Sequence, residues 1–88
     1  MNTINPPGDE EACARHLGGL LEAAGFTTRY HKMGERRANL VARIGGGGDR
    51  APLCFTGHID TVPLGAARWQ HDPFAGETGD GRLYGRGT

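Results

Sequence analysis

The chain has 88 residues, with ten basic side chains balancing ten acidic ones and with 16 glycines and five prolines. That is length for one small domain and not two. Only 15 residues are Leu, Ile, Val or Phe, about 17% and under the rough 20% of ordinary folded chains, so a self-sufficient core is not expected. No apolar run nears the roughly 18 residues of a membrane span, the first residues are not expected to act as a secretory leader, and balanced charge without a Lys/Arg cluster argues against nucleic acid. Cys13 and Cys54 form neither a CxxC pair nor a disulfide pattern. They are expected as reduced, buried thiols in a cytoplasmic protein.

In chain order, Pro6-Pro7 bars helix before it, and Gly8 or Asp9 is placed to cap a helix start. Asp9, Glu10 and Glu11 then put negative charge at the positive end of the helix dipole. Ala12, Cys13, His16, Leu17, Leu20, Leu21 and Ala24 form one helical stripe. Gly25 suits the left-handed residue after the helix, with Leu21 and Phe26 closing a Schellman ending. Gly18 and Gly19 weaken such a helix by roughly 1 kcal/mol each, unless close packing on a sheet requires them.

Strands follow. Thr27 to Met33 and Asn39 to Ile44 flank a turn at Gly34-Glu35-Arg36-Arg37. Gly45 to Gly48 is a flexible connector, since no Lys-Ser/Thr follows to make a phosphate cradle. Leu53-Cys54-Phe55-Thr56 reads as the strongest strand, buried on both faces at the centre of a helix-covered sheet. Residues 57–75 look irregular, and Gly79-Asp80-Gly81 is a hairpin turn between Thr78 and Arg82–Tyr84. The class is α/β: a helix, then mixed strands.

The segment with chemical potential is Gly57-His58-Ile59-Asp60-Thr61-Val62-Pro63, where the strongest strand ends. Ligands collect at such strand ends. In extended backbone His58 and Asp60 point the same way. His58 could then offer one ring nitrogen to a metal while Asp60 orients the ring and raises its basicity. A lone His-x-Asp is an unspecific pattern, and a hydrogen-bonded loop histidine satisfies it equally. Cys54 and His58 could be read as a zinc pair, but mid-strand Cys54 fits a packed thiol better.

Three strings taken together resemble the M20 family of zinc-dependent peptidases and deacylases: GHIDTVPLG, then Trp69 with Asp72-Pro73-Phe74, then DGRLYGRGT. The resemblance starts near Asn5-Pro6-Pro7 and runs to Thr88. The Trp-x-x-Asp-Pro-Phe piece leans toward the deacylase and desuccinylase branch. The resemblance implies the N-terminal part of a zinc-exopeptidase-like catalytic domain, with residues 1–88 an incomplete segment and no second domain here. It makes His58 a ligand of one of two active-site Zn2+ ions (Co2+ a possible substitute), and Asp60 the acidic residue that orients it and is counted with the catalytic residues. In the family, a metal-bridged water attacks an amide carbonyl and a downstream Glu takes its proton, which is sound metal chemistry. The implied substrate is a small N-acyl amino acid or peptide, with no membrane or nucleic-acid partner, and the full-length protein is implied to be a homodimer.

The family pattern continues past Gly-Arg-Gly-Thr with a bridging Asp, the base and further ligands. None of these lies within the 88 residues, so the chain by itself is expected to be inactive. The alternative from another class is a non-catalytic truncated remnant or interaction module that keeps His-x-Asp only as structure. Of the other candidates, His16 is expected packed or partly exposed, and His31 and His71 on the surface. Trp69 and Phe74 are expected to pack the irregular loop, Arg36-Arg37 to be a solvated turn, and Tyr84 and Arg86 to position the last strand.

Overall fold

The computed structural model describes all 88 residues as one helix and two antiparallel hairpins: α1 (Glu10–Ala23), β1 (Thr27–Gly34), β2 (Arg37–Arg43), β3 (Glu77–Gly79) and β4 (Arg82–Tyr84). The α/β reading holds. β1 pairs with β2 in a register that sets Tyr30 opposite Leu40 and Lys32 opposite Ala38, and a bulge lies before Gly34. The two-residue loop Glu35-Arg36 closes it, with Arg36 in the left-handed region at φ 57°.

Helix α1 ends as its sequence dictates. Gly25 takes φ 90°, its N–H donates to Glu22 O at 2.9 Å, and Phe26 N–H donates to Leu21 O at 3.0 Å. These are the two bonds of a Schellman ending. At the other end Asp9 holds the N-cap position without a side-chain capping bond. Its carboxylate lies 3.7 Å from Arg36 instead, while Glu11 N–H donates to Arg36 O at 2.9 Å.

The packed face of α1 differs from the predicted stripe. Glu10, Ala14 and Gly18 are buried, whereas His16 is exposed and Leu20 is 58% exposed. The reason is close approach. Small residues at 14 and 18 let the helix settle on the hairpin, whose buried member is Ala38. A methyl group at Gly18 would overlap the Tyr30 hydroxyl, so the predicted packing role of this glycine is real; at Gly19 a methyl group would meet nothing within 4 Å.

Charge reinforces this seam. Glu11 pairs with Arg15 at 2.6 Å and reaches across to Lys32 at 3.4 Å; Glu10 pairs with Arg37 at 3.3 Å. The Arg15 hydrogen bond is the main reason the Glu11 carboxyl titrates below its ordinary range. Arg36 and Arg37 are therefore partners of the helix's first turn and not merely solvated.

The largest departure from expectation is Leu53–Thr56. No strand forms there, and Leu53 and Phe55 are 80% and 86% exposed. Cys54 is exposed and Cys13 half-buried, both as free thiols, so neither is the buried thiol expected. The physical cause is pairing. A strand exists only through a neighbour's N–H and C=O groups, and no backbone hydrogen bond reaches residues 53–56. Six of the 88 residues are buried, which agrees with the low apolar content. Phe74 is also 65% exposed and does not pack the loop as expected.

Candidate functional site

A short parallel bridge, Ile4 with Thr61, joins the first residues to the segment after Thr56. Thr61 N–H donates to Thr3 O at 2.9 Å, and Asn5 N–H donates to Thr61 O at 2.8 Å. The bridge fixes the backbone on the far side of Asp60 from His58.

His58 and Asp60 do meet. The His58 Nδ1 atom lies 2.8 Å from Asp60 Oδ1 and 3.0 Å from the Asp60 carbonyl oxygen. The second carboxylate oxygen, Oδ2, accepts a hydrogen bond from Asn5 Nδ2 at 3.2 Å. With two acceptors on Nδ1, the neutral ring carries its proton there and turns the lone pair of Nε2 outward. The imidazole is 85% exposed, so Nε2 is open to a ligand.

The electrostatics follow the contacts. Hydrogen bonding to the Asp60 side chain, then to its carbonyl, then its charge, raises the His58 pKa above the ordinary 6.5. Asn5's donated hydrogen bond, and after it the one from His58, lowers the Asp60 carboxyl below its ordinary 3.8. Each group thus favours the charged form of the other.

Both residues line a cavity of about 820 Å³ between α1, β2 and residues 56–60, together with Glu10, Arg37, Asn39 and Leu40. Its walls mix a carboxylate–guanidinium pair with apolar groups. One Glu10 oxygen, Oε1, is buried there without a hydrogen-bond partner.

No three His, Cys, Asp or Glu side chains come together to hold a cation. Zinc takes three or four protein ligands, so these residues do not complete a metal site. His58, with Nδ1 anchored and Nε2 free, has the form of one ligand in such a site. Cys54 is exposed and bonds only Phe55 O, at 3.7 Å, so it makes no pair with His58.

A second cluster gathers around the β3–β4 hairpin. Asp80 and Gly81 adopt φ 50° and 72°, the primed turn their sequence predicts. His71, expected on the loop surface, is half-buried: its Nδ1 lies 2.8 Å from Glu77 Oε2 and its ring stacks on Tyr84 at 4.0 Å. The Arg86 guanidinium lies 4.9 Å from the centre of the Trp69 ring and donates to Pro63 O at 3.3 Å. Arg86 thereby ties the hairpin to the loop that follows Asp60. The Asn5–Asp60 contact was not among the sequence expectations: the partners lie 55 positions apart, and the Ile4–Thr61 bridge brings them together.

Comparison with known proteins supplies the rest. Residues 54–88 match the model of Peptidase family M20/M25/M40. The chain is 49% identical over 88 residues to a succinyl-diaminopimelate desuccinylase of Rhodospirillum centenum (strain ATCC 51521 / SW), covering 93% of this chain and 22% of that protein. It is 53% identical over 83 residues to a protein of the same name from Caulobacter sp. (strain K31), covering 93% and 20%. A third, from Xanthobacter autotrophicus (strain ATCC BAA-1158 / Py2), is 49% identical over 92 residues, covering 98% and 23%. The chain spans about a fifth of the length of the curated relatives it matches. No solved structure matches it.

Proposed function

We propose that this chain, a member of the M20 family, is the amino-terminal segment of a metal-dependent amidohydrolase that removes a small acyl group from an amino acid. The reading rests on one observation: His58 is anchored at Nδ1 by Asp60 with Nε2 left open, inside the stretch that matches the family model. A bound divalent cation would lower the pKa of a water and polarise the amide carbonyl. This chain's part is narrower. His58 would offer Nε2 as one ligand, and Asp60 would fix the tautomer and the ring angle. The remaining ligands and the general base would come from sequence outside these 88 residues, and the chain alone would not turn over substrate.

The relatives' names point to a succinyl group on diaminopimelate, and we take an N-succinyl diamino acid as the substrate. Zn2+ as the native metal, a homodimer and a cytoplasmic location belong to the same reading. No helix is long and apolar enough to cross a membrane.

The test is a graft. The Caulobacter desuccinylase would carry this chain in place of its own matching segment, as their 53% identity allows. The graft is expected to hydrolyse N-succinyl-diaminopimelate, and His58→Ala in the graft to abolish turnover. The 88-residue chain alone, supplied with Zn2+, is expected to release no succinate. Full turnover by the His58→Ala graft, or release by the isolated chain, would overturn the proposal.

A further inference from the structure

We infer that Asn5 is a positioning residue for the site: its side-chain amide locks the Asp60 carboxylate so that His58 keeps Nδ1 protonated and Nε2 free. The inference deepens the reading of His58 given above and rests on it for its functional meaning.

The geometry carries it. The Asp60 carboxylate is held at both ends, by Asn5 Nδ2 at 3.2 Å on Oδ2 and by His58 Nδ1 at 2.8 Å on Oδ1. A carboxylate with a donor on each oxygen cannot swing about its Cβ–Cγ bond without losing one of them. Both backbones are fixed next to this contact, because Asn5 N–H donates to Thr61 O at 2.8 Å and Thr61 pairs with Ile4. Asn5 thus reaches Asp60 from a strand bridge and not from a loose terminus.

The residue type fits the task. Asparagine offers a neutral N–H₂ donor on a short stem. Aspartate at position 5 would offer only acceptors and would repel Asp60. Alanine would leave Oδ2 to water and let the carboxylate turn. The ring would then keep one Nδ1 acceptor in place of two, the Asp60 carbonyl at 3.0 Å. The neutral imidazole would drift toward the tautomer with its proton on Nε2, the nitrogen a cation needs bare.

The experiment uses the 15N-labelled Caulobacter graft stripped of metal, at a pH where the imidazoles are neutral. Long-range 1H–15N spectra report the His58 tautomer, and hydrogen exchange of the Thr61 amide reports the bridge. Wild type is expected to hold the proton mainly on Nδ1, and Asp60→Ala sets the full loss. Asn5→Ala and the isosteric Asn5→Asp are each expected to reach at least half of that loss with the Thr61 amide still protected. A wild-type tautomer ratio in either variant would overturn the inference. So would loss of Thr61 protection in both, since the backbone bridge would then be what positions the pair. Because no metal enters the experiment, its failure leaves the ligand role of His58 standing. A graft that ignores His58 would, conversely, leave the tautomer result standing.

Discussion

Adding one methyl group at each of two adjacent helix positions separates local from tertiary effects in α1. At Gly19 a Cβ meets nothing within 4 Å, so Gly19→Ala gains only helix propensity, about 0.5–1 kcal/mol. At Gly18 the same gain is opposed, because the new methyl group overlaps the Tyr30 hydroxyl. Tyr30 has limited room to yield: it is paired with Leu40 across the hairpin, and the Arg15 guanidinium lies 5.0 Å from its ring centre. Overpacking of this kind costs roughly 1–3 kcal/mol. Gly18→Ala is therefore expected to be neutral to destabilising by about 2 kcal/mol, and to fall at least 1 kcal/mol below Gly19→Ala. Urea unfolding followed by circular dichroism at 222 nm reads both variants. Equal stabilisation by the two would mean that Tyr30 does not lie over the helix, and the α1–hairpin packing described above would be wrong.

Two further predictions follow from the site and the unpaired segment. The His58 imidazole is expected to titrate above 6.5 by NMR, and Asp60→Asn to lower it toward its ordinary value, the Asp60 carbonyl contact remaining. The stabilising effect of the pair is then fully present below the unfolded His pKa of 6.5 and is lost as pH rises through the higher folded value. At the acid end it is present above the unfolded Asp pKa of 3.8 and is lost as pH falls through the lower folded value. The pair is strongest between roughly pH 4 and 6.5, and a His58 midpoint at or below 6.5 in wild type would contradict the contact. Phe55→Ser is expected to change the unfolding free energy of this chain by less than about 0.5 kcal/mol, because Phe55 is 86% exposed; a loss above 2 kcal/mol would show that residues 53–56 pack after all.

What could be read from the sequence was what is local. The Schellman ending at Gly25 and the Asp80-Gly81 turn are written in a few adjacent residues, because each depends on backbone conformations that glycine and its neighbours decide. The helix was legible, but its packed face was not. Counting apolar side chains favoured Leu20 and His16, whereas contact distance favours the small Ala14 and Gly18. Leu53–Thr56 failed for a related reason: apolar β-formers state a preference for burial, but only a pairing partner makes a strand, and none of the 88 residues supplies one. The His58–Asp60 contact was legible from its i, i+2 spacing. Asn5 was not, because nothing in a run of residues announces a partner 55 positions away. Arg37 was read as solvated, although its partner Glu10 is set by how the helix start meets the hairpin turn.

The proposed function turns on whether His58 holds a metal ion. The most direct measurement is the metal content of the Caulobacter graft after exhaustive dialysis, by elemental analysis, with and without His58→Ala. The unaltered graft is expected to retain its divalent metal, and His58→Ala to lose at least one equivalent per chain. Asp60→Asn should retain the metal with affinity weakened about 10- to 100-fold. Undiminished metal content in the His58→Ala graft would contradict the assignment.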